Sequence, residues 1–259
     1  MDKYPSINLF QKEIIMRIKV LVNGALGKMG QEAVKAIKTD EELDLVGERD
    51  RDTDLWATIK VTKPDVVVDF TTPDAVYENA SMIIDLGVRP VIGTTGLTAE
   101  QITALQQLCA EKKLGGLIVP NFSLGAVLMM QFAKIAAQYL PDVEIMELHH
   151  PAKLDAPSGT ALRTAEMIAL AREQAAQPVA SHESIEGARG AAYQNIPIHS
   201  IRLPGLVASQ EILFGGQGET LSIRHDTIHR EAFMPGVRLA CKKVIGLEQL
   251  VIGLDKILF

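Results

Sequence analysis

Arg17-Ile18-Lys19-Val20-Leu21-Val22 alternates charged and apolar positions and then turns wholly apolar. That pattern predicts a strand entering the middle of a parallel sheet. Gln31 to Ile37 follows with Ala33, Val34 and Ile37 at helical spacing. The alternation then repeats. Leu43–Arg49 predicts a second strand, and Asp65–Phe70, Pro90–Ile92 and Leu117–Val119 predict three more, with helical patterns over about 74–86 and 98–112 between them. Strand–helix alternation predicts a doubly wound parallel sheet with right-handed crossovers, an α/β fold of Rossmann type. Ligands of such sheets lie beyond the C-terminal ends of the strands. The loops there carry Thr71-Thr72-Pro73, Gly93-Thr94-Thr95-Gly96 and Pro120-Asn121-Phe122-Ser123, and all converge on one edge.

The periodicity changes after Phe122. Leu124–Leu140 predicts one long helix and Val143–Leu148 a strand. Ala161, Ala165, Ile168 and Ala169 then form one face of a further helix. Residues 177–192 are polar and glycine-bearing, which predicts a long loop. Three strand-like runs follow at 196–203, 210–214 and 220–225, with short turns at Pro204-Gly205 and Gly215–Gly218 that predict antiparallel neighbours. A helix over about 231–244 and an apolar tail at 250–258 return to the first sheet. The expected organisation is a dinucleotide-binding domain at 16–122 plus 231–259, a second α+β domain at 123–230, and an N-terminal extension at 1–15. The extension reads as either a mobile arm or a short helix from Leu9 to Ile15.

Composition narrows the function classes. The chain has 259 residues, 47% of them hydrophobic and 22% charged, as in a soluble globular protein with a substantial core. A net charge of −6 argues against general nucleic-acid binding, which needs a basic surface. Two isolated cysteines, Cys109 and Cys241, make neither a disulfide framework nor a Cys-x-x-Cys zinc pair, and a reducing cytoplasm is the simplest setting. No apolar run approaches the ~20 residues that span a bilayer, and no signal-peptide core is present.

Two stretches carry candidate chemistry. Gly24-Ala25-Leu26-Gly27-Lys28-Met29-Gly30 sits on the first strand-to-helix turn, where glycines let the backbone approach a pyrophosphate. The Gly-x-x-Gly-x-x-Gly spacing differs from the commoner Gly-x-Gly-x-x-Gly, and a tight turn alone accounts for it equally well. Asp50 and Arg51 follow the second strand, where an acidic residue binds ribose hydroxyls and an arginine pairs with a 2′-phosphate. Glu48 or Asp52 is an alternative for the acidic role, and a charged surface loop is the plainer one. The second stretch runs from Glu147 to Ala161. It places His149, His150, Lys153 and Asp155 just before Pro157-Ser158-Gly159-Thr160 and a predicted helix start. Free N–H groups and the helix dipole there favour an anion such as a carboxylate. Histidine exchanges protons near neutral pH, and lysine donates one or holds a negative charge. Adjacent His149 and His150 are poorly spaced for chelation, so no metal is expected.

Taken together, these motifs resemble the 4-hydroxy-tetrahydrodipicolinate reductase (dihydrodipicolinate reductase) family of lysine and diaminopimelate biosynthesis. The resemblance covers nearly all of 16–259, and Glu147–Ala161 is its most specific part. It implies an oxidoreductase using NADH and/or NADPH on a small cyclic imine precursor with two carboxylates. It implies His149 and Lys153 as catalytic proton carriers, and His150, Gly159 and Thr160 as carboxylate ligands. For the cofactor it implies Gly24, Ala25, Leu26, Gly27, Lys28, Met29, Asp50, Arg51, Gly93, Thr94, Thr95, Val119, Pro120, Asn121 and Phe122. It further implies a homotetramer joined through the sheet of the substrate-binding domain, with no nucleic-acid or membrane partner. One departure stands in Arg202–Glu211: many relatives carry histidine where this chain has Ser209. His225 and Arg230 read as either pocket or structural residues. Two rival readings remain at this stage, another NAD(P)-dependent dehydrogenase of a small amino-dicarboxylate and a non-catalytic NAD(H)-binding protein.

Overall fold

The computed structural model describes residues 16–172 and 181–259. The expected helix at 9–15 and positions 177–180 of the expected loop lie outside the described residues. From the N-terminus the order is β1 (Ile18–Asn23), α1 (Lys28–Lys38), β2 (Leu43–Arg49), α2 (Leu55–Thr62), β3 (Val66–Asp69), α3 (Val76–Asp85), β4 (Arg89–Ile92), α4 (Ala99–Lys112) and β5 (Gly116–Ile118). Then come α5 (Leu124–Ala136), β6 (Asp142–His149), α6 (Gly159–Ala171), β7 (Ala191–Tyr193), β8 (Ile196–Arg202), β9 (Ala208–Gly216) and β10 (Glu219–Thr227). A 3₁₀ turn at Arg230–Phe233 leads into α7 (Met234–Lys243), β11 (Leu250–Ile252) and α8 (Asp255–Leu258).

The first sheet has six parallel strands in the order β11-β5-β4-β3-β1-β2. Both of its faces are covered. Val20, Val22, Val66 and Val68 pack with Ile37 of α1 and Val237 of α7 on one side. Leu21 and Val67 pack with Ile59 of α2 and Ile83 of α3 on the other. Alternate residues of one apolar strand thus serve two cores, which is why β3 reads as an unbroken valine run. The order reverses between β1 and β3, and the crevice of such a sheet opens at that point.

The second sheet is mixed, in the order β10-β9-β6-β8-β7. Its inner face packs Ile145, Ile198, Ile212 and Phe214 against α5 and α6. The Pro204-Gly205 turn does not close a β8–β9 hairpin as expected, because β6 lies between those strands, parallel to β8 and antiparallel to β9. Only β9 and β10 form the expected antiparallel neighbours. β7 occupies part of the expected loop. It is a three-residue edge strand, too short for its alternation to register. α2 was not expected either: only Leu55 and Ile59 are buried in it, and its Thr and Val content masks the helical period. α5 stops at Ala136, short of Leu140.

β11 pairs with β5, so the chain returns to the first sheet as expected. α7 reaches that sheet by close backbone contact. A Cβ built on Gly236 would stand 2.0 Å from the carbonyl oxygen of Phe122 and 3.1 Å from a Leu254 methyl. Gly236→Ala should therefore force α7 outward and lower stability by about 1–3 kcal/mol. Urea unfolding checks this, and an unchanged midpoint would contradict the packing described.

Candidate active site

The nucleotide side is built from three strand ends. Gly24 has φ +83°, and a Cβ there would lie 2.4 Å from the carbonyl oxygen of Phe70. Gly30 brings α1 against the turn, since a Cβ on it would stand 2.0 Å from the Gly24 oxygen. Gly27 is the N-cap of α1 and supplies no side-chain cap, so the first N–H groups of that helix remain free for an anion. Ala25 is buried, while Leu26, Gly27 and Lys28 are exposed and Met29 is half-buried. Of the acidic candidates after β2, Asp50 is the one joined to this turn. Its carboxylate accepts from the N–H of Leu26 at 3.0 Å and of Arg51 at 2.8 Å. Those two backbone hydrogen bonds, Arg51's first, hold Asp50 below the usual carboxylate range. Glu48 turns away to Lys38 at 2.7 Å, and the Arg51 side chain projects into solvent.

Under the crevice lies a buried carboxylate that in sequence is only the polar end of a valine strand. Asp69 is fully buried. It accepts from five donor groups: Asn23 Nδ2 at 2.7 Å, Thr71 N at 3.1 Å, Thr71 Oγ1 at 2.7 Å, Asn79 Nδ2 at 3.1 Å and Thr94 Oγ1 at 2.8 Å. Arg49 in turn donates to Asn23 Oδ1 at 2.9 Å. The loops after β1, β3 and β4 are thereby fixed to one another. Beside them, the rings of Phe70 and Phe122 meet edge to face at 5.6 Å, and a Cβ on Gly93 would strike both. Val119 is buried, its N–H donating to Ile92 at 2.8 Å, whereas Pro120 and Thr95 are exposed at the rim.

The facing side of the cleft is layered across the second sheet. Register places Ile198, Ile145, Ile212 and Ile223 in one row of its inner face. The next row toward the crevice is polar: Ser200, Glu147, Gln210 and His225. The last is Arg202, His149, Ala208 and Thr227. Glu147 has no solvent exposure and accepts a hydrogen bond from His149 Nδ1. Arg202 grips both Glu147 oxygens, Nη1 to Oε2 at 3.0 Å and Nη2 to Oε1 at 2.8 Å. Burial pushes the Glu147 carboxyl up, but hydrogen bonds from Arg202, Ser200 and His149 outweigh it and leave it below its usual range. His149 is lowered by burial first. Glu147 opposes that, and the positive charges of Lys153 and Arg202 add to it.

Ser158 begins α6, its Oγ accepting from Ala161 N at 3.2 Å. The N–H groups of Gly159 and Thr160 are left without an intrahelical partner. A Cβ on Gly159 would meet nothing within 4 Å, so this helix start faces open space. Asn121 Nδ2 donates to Thr160 Oγ1 at 3.3 Å, joining the loop after β5 to α6. A cavity at this junction is lined by Asn121, His149, Ser158, Thr160, Gln210 and His225, among others. The structure therefore brings Asn121, His149 and Thr160 together. Lys153 and His150 lie outside that lining. Lys153 Nζ is held by Asp155 at 2.8 and 2.9 Å, and its N–H donates to the His150 carbonyl at 3.1 Å. His225 stands 3.2 Å from Ser123 Oγ and is lowered by burial, with Asp226 opposing. Ser209 also borders the cavity and lies opposite Asp226 in the β9–β10 register. Arg230 belongs to a separate groove with Lys28 and Gln31. Among the described residues no cluster of three or more His, Cys, Asp or Glu could hold a metal ion, and no helix is long and apolar enough to cross a membrane.

Both halves of the chain match known proteins. Residues 18–122 match the family model "Dihydrodipicolinate reductase, N-terminus", and residues 125–258 match "Dihydrodipicolinate reductase, C-terminus". The latter span takes in α7 and β11, which in space belong to the first sheet. The chain is 53% identical over 243 residues to a 4-hydroxy-tetrahydrodipicolinate reductase of Legionella pneumophila (strain Paris), covering 94% of this chain and 100% of the relative. It is 52% identical, with the same coverage, to one of Coxiella burnetii (strain Dugway 5J108-111). The solved structure of dipicolinate-bound dihydrodipicolinate reductase from Paenisporosarcina sp. TG-14 superposes with a TM-score of 0.85 at 45% identity, covering 93% of this chain and 99% of that one. An amine dehydrogenase from Mycobacterium smegmatis, at 12% identity and a TM-score of 0.63, shares the fold alone. Matched along both halves and more than half identical to full-length relatives, the chain belongs to the dihydrodipicolinate reductase family.

Proposed function

We infer that this chain reduces 4-hydroxy-tetrahydrodipicolinate to tetrahydrodipicolinate with NADH or NADPH, a step of lysine and diaminopimelate biosynthesis. The observation that carries the reading is the junction cavity, where Asn121 of the nucleotide side touches Thr160 beside His149. The residues present fit a dinucleotide. Side chains on Gly24 and Gly30 would collide with backbone, and α1 begins without a side-chain cap. Gly24 to Met29, Asp50 and Arg51 would hold its pyrophosphate and ribose, and Gly93, Thr94, Thr95 and Val119 to Phe122 its nicotinamide end.

The net change removes the ring hydroxyl as water and adds one hydride and one proton. When bound, the reduced nicotinamide supplies the hydride. The chain must pin a dianionic ring and deliver the proton. Gly159 and Thr160 offer free N–H groups at the positive end of α6 to one carboxylate. His150 and the Lys153 ammonium serve the other, once Lys153 leaves Asp155. His149 presents Nε2 to the cavity, because Glu147 engages its Nδ1. It protonates the ring as electrons move through the conjugated system, and Lys153 neutralises the charge that develops. Residues 16–122 with 231–259 act as the nucleotide-binding unit, and 123–230 as the substrate-binding and oligomerisation unit.

The outer face of the second sheet supports a homotetramer. Alternation turns Met146 and Leu148 of β6, Ile201 of β8 and Leu213 of β9 away from the helices, and Leu213 is 38% exposed. Ion pairs flank this apolar strip, Glu144 with Arg189 and Arg224 with Glu211 and Asp226, and Glu144 also hydrogen-bonds His199 at 2.8 Å. The enzyme works in the cytoplasm on a small dicarboxylate, with no nucleic-acid or membrane partner.

Steady-state assays with freshly generated substrate and each cofactor in turn test the activity. Nicotinamide oxidation is expected, and binding without oxidation would instead indicate a non-catalytic NAD(H) binder. His149→Gln should lower kcat by roughly 10²–10⁴-fold while cofactor binding is kept; turnover within a few-fold of the parent would remove its proton role. Lys153→Ala should lower kcat and raise the substrate KM, and unchanged values would take Lys153 out of the site. Only the imidazolium donates, and burial holds His149 below its ordinary 6.5. The free-enzyme kcat/KM should therefore decline as pH rises through that lowered value, and a profile flat from pH 5 to 8 would contradict this. Leu213→Glu should yield species smaller than a tetramer by light scattering on a sizing column.

A further inference from the structure

We propose that Glu147 and Arg202 form a positioning pair that sets the tautomer of His149 and ties it to the Lys153 loop. This rests on the reading of His149 as the proton carrier and goes beyond it, because neither Glu147 nor Arg202 need touch the substrate. Glu147 sits two residues before His149 on β6, so both side chains point to the same inner face. It is wholly buried, yet both of its oxygens are engaged, by Arg202 and by His149. A carboxylate held ionised beside Nδ1 requires the proton on that nitrogen. Nε2 then bears the only lone pair, or in the imidazolium the only transferable proton, on the cavity side.

Arg202 does more than hold Glu147. Its Nε donates to the Lys153 carbonyl at 3.3 Å, and its Nη2 to the Asp155 carbonyl at 2.6 Å. One guanidinium therefore touches the carboxylate behind His149 and the backbone on both sides of Leu154. The loop has little other support, since Leu154 is 97% exposed. Five donors in a rigid fork suit this task, whereas a lysine offers a point charge that holds one partner at a time. The charged groups facing His149 are Glu147 from its own strand, Arg202 from β8 and Lys153 from the loop, with His225 across the cavity on β10. Glu147 is the only anion among them.

The test combines kinetics with long-range ¹H–¹⁵N NMR of histidine-labelled enzyme, the His149 signals being assigned by their loss in His149→Gln. In the parent, His149 should show the Nδ1–H tautomer. Glu147→Gln removes the one group that raises the His149 pKa. Its titration midpoint should move to lower pH, the tautomers should mix, and kcat should drop by roughly 10–100-fold, as for other buried orienting partners. The KM for the cofactor should stay the same. Arg202→Lys keeps the charge but loses the fork, so a mixed His149 tautomer and a raised substrate KM are required there too. That variant carries the test alone should Glu147→Gln fail to fold. An intact Nδ1–H tautomer with an unmoved midpoint in Glu147→Gln, or unchanged tautomer and KM in Arg202→Lys, overturns the pair. The NMR readout needs no turnover, so an enzyme inactive on the substrate would sink the functional reading and leave the positioning pair to be judged separately.

Discussion

Each half of the cleft is organised by a carboxylate that has no access to water and must be satisfied by protein donors. Leaving such a group unpaired costs several kcal/mol, far more than any one of its hydrogen bonds contributes net. Asp69 meets this demand with Asn23, Thr71, Asn79 and Thr94, and so binds the loops of three strands of the first sheet into one unit. Glu147 meets it with Arg202 and His149, and so binds that histidine to the neighbouring strand. In both cases the acid is paired where strands end and loops begin. The loops cannot rearrange without exposing an unsatisfied charge, which is a physical reason for a cleft shaped in advance of its ligands.

The second sheet separates stability from chemistry along its strands. The isoleucine row at 145, 198, 212 and 223 is plain core, and the polar row begins one pleat further on. Gln210 ties that row to α6 through its amide nitrogen. Its Nε2 donates to Thr164 Oγ1 at 2.8 Å, and Thr164 donates to the Thr160 carbonyl at 2.7 Å. The first turn of α6, whose leading N–H groups have no intrahelical partner, is thus braced by a side chain from β9. β6 can carry both layers because it is central in its sheet, with β8 and β9 on either side.

Much of this was legible in the sequence. The valine and leucine runs with glycine or threonine at their ends define the first sheet, and the cap expected at Pro157–Thr160 is the start of α6, with Ser158 and Thr160 lining one cavity with His149. What escaped notice depended on non-local pairing. Nothing near Pro204-Gly205 reveals that β6, over fifty residues earlier, slides between β8 and β9. Arg202 lies 55 residues from Glu147, so its role as partner to that acid has no local signal. Asp69 closes a valine run and looks like an ordinary strand end until Asn23 and Thr94 are seen converging on it. A carboxylate directly after three fully buried valines was the available clue, since an acid in that setting must have partners.

The chain passes between the two sheets twice, once at Ser123 and once just beyond Thr227, and β11 completes the first sheet only after the second passage. The Ser123 hydroxyl lies 3.2 Å from His225, so the two passages run side by side. A body tethered at two adjacent points keeps a single easy axis, the line through both, and loses the freedom to swivel. Opening would resemble a book on its spine rather than a ball on a string, and Asn121 would return to Thr160 each time the covers met.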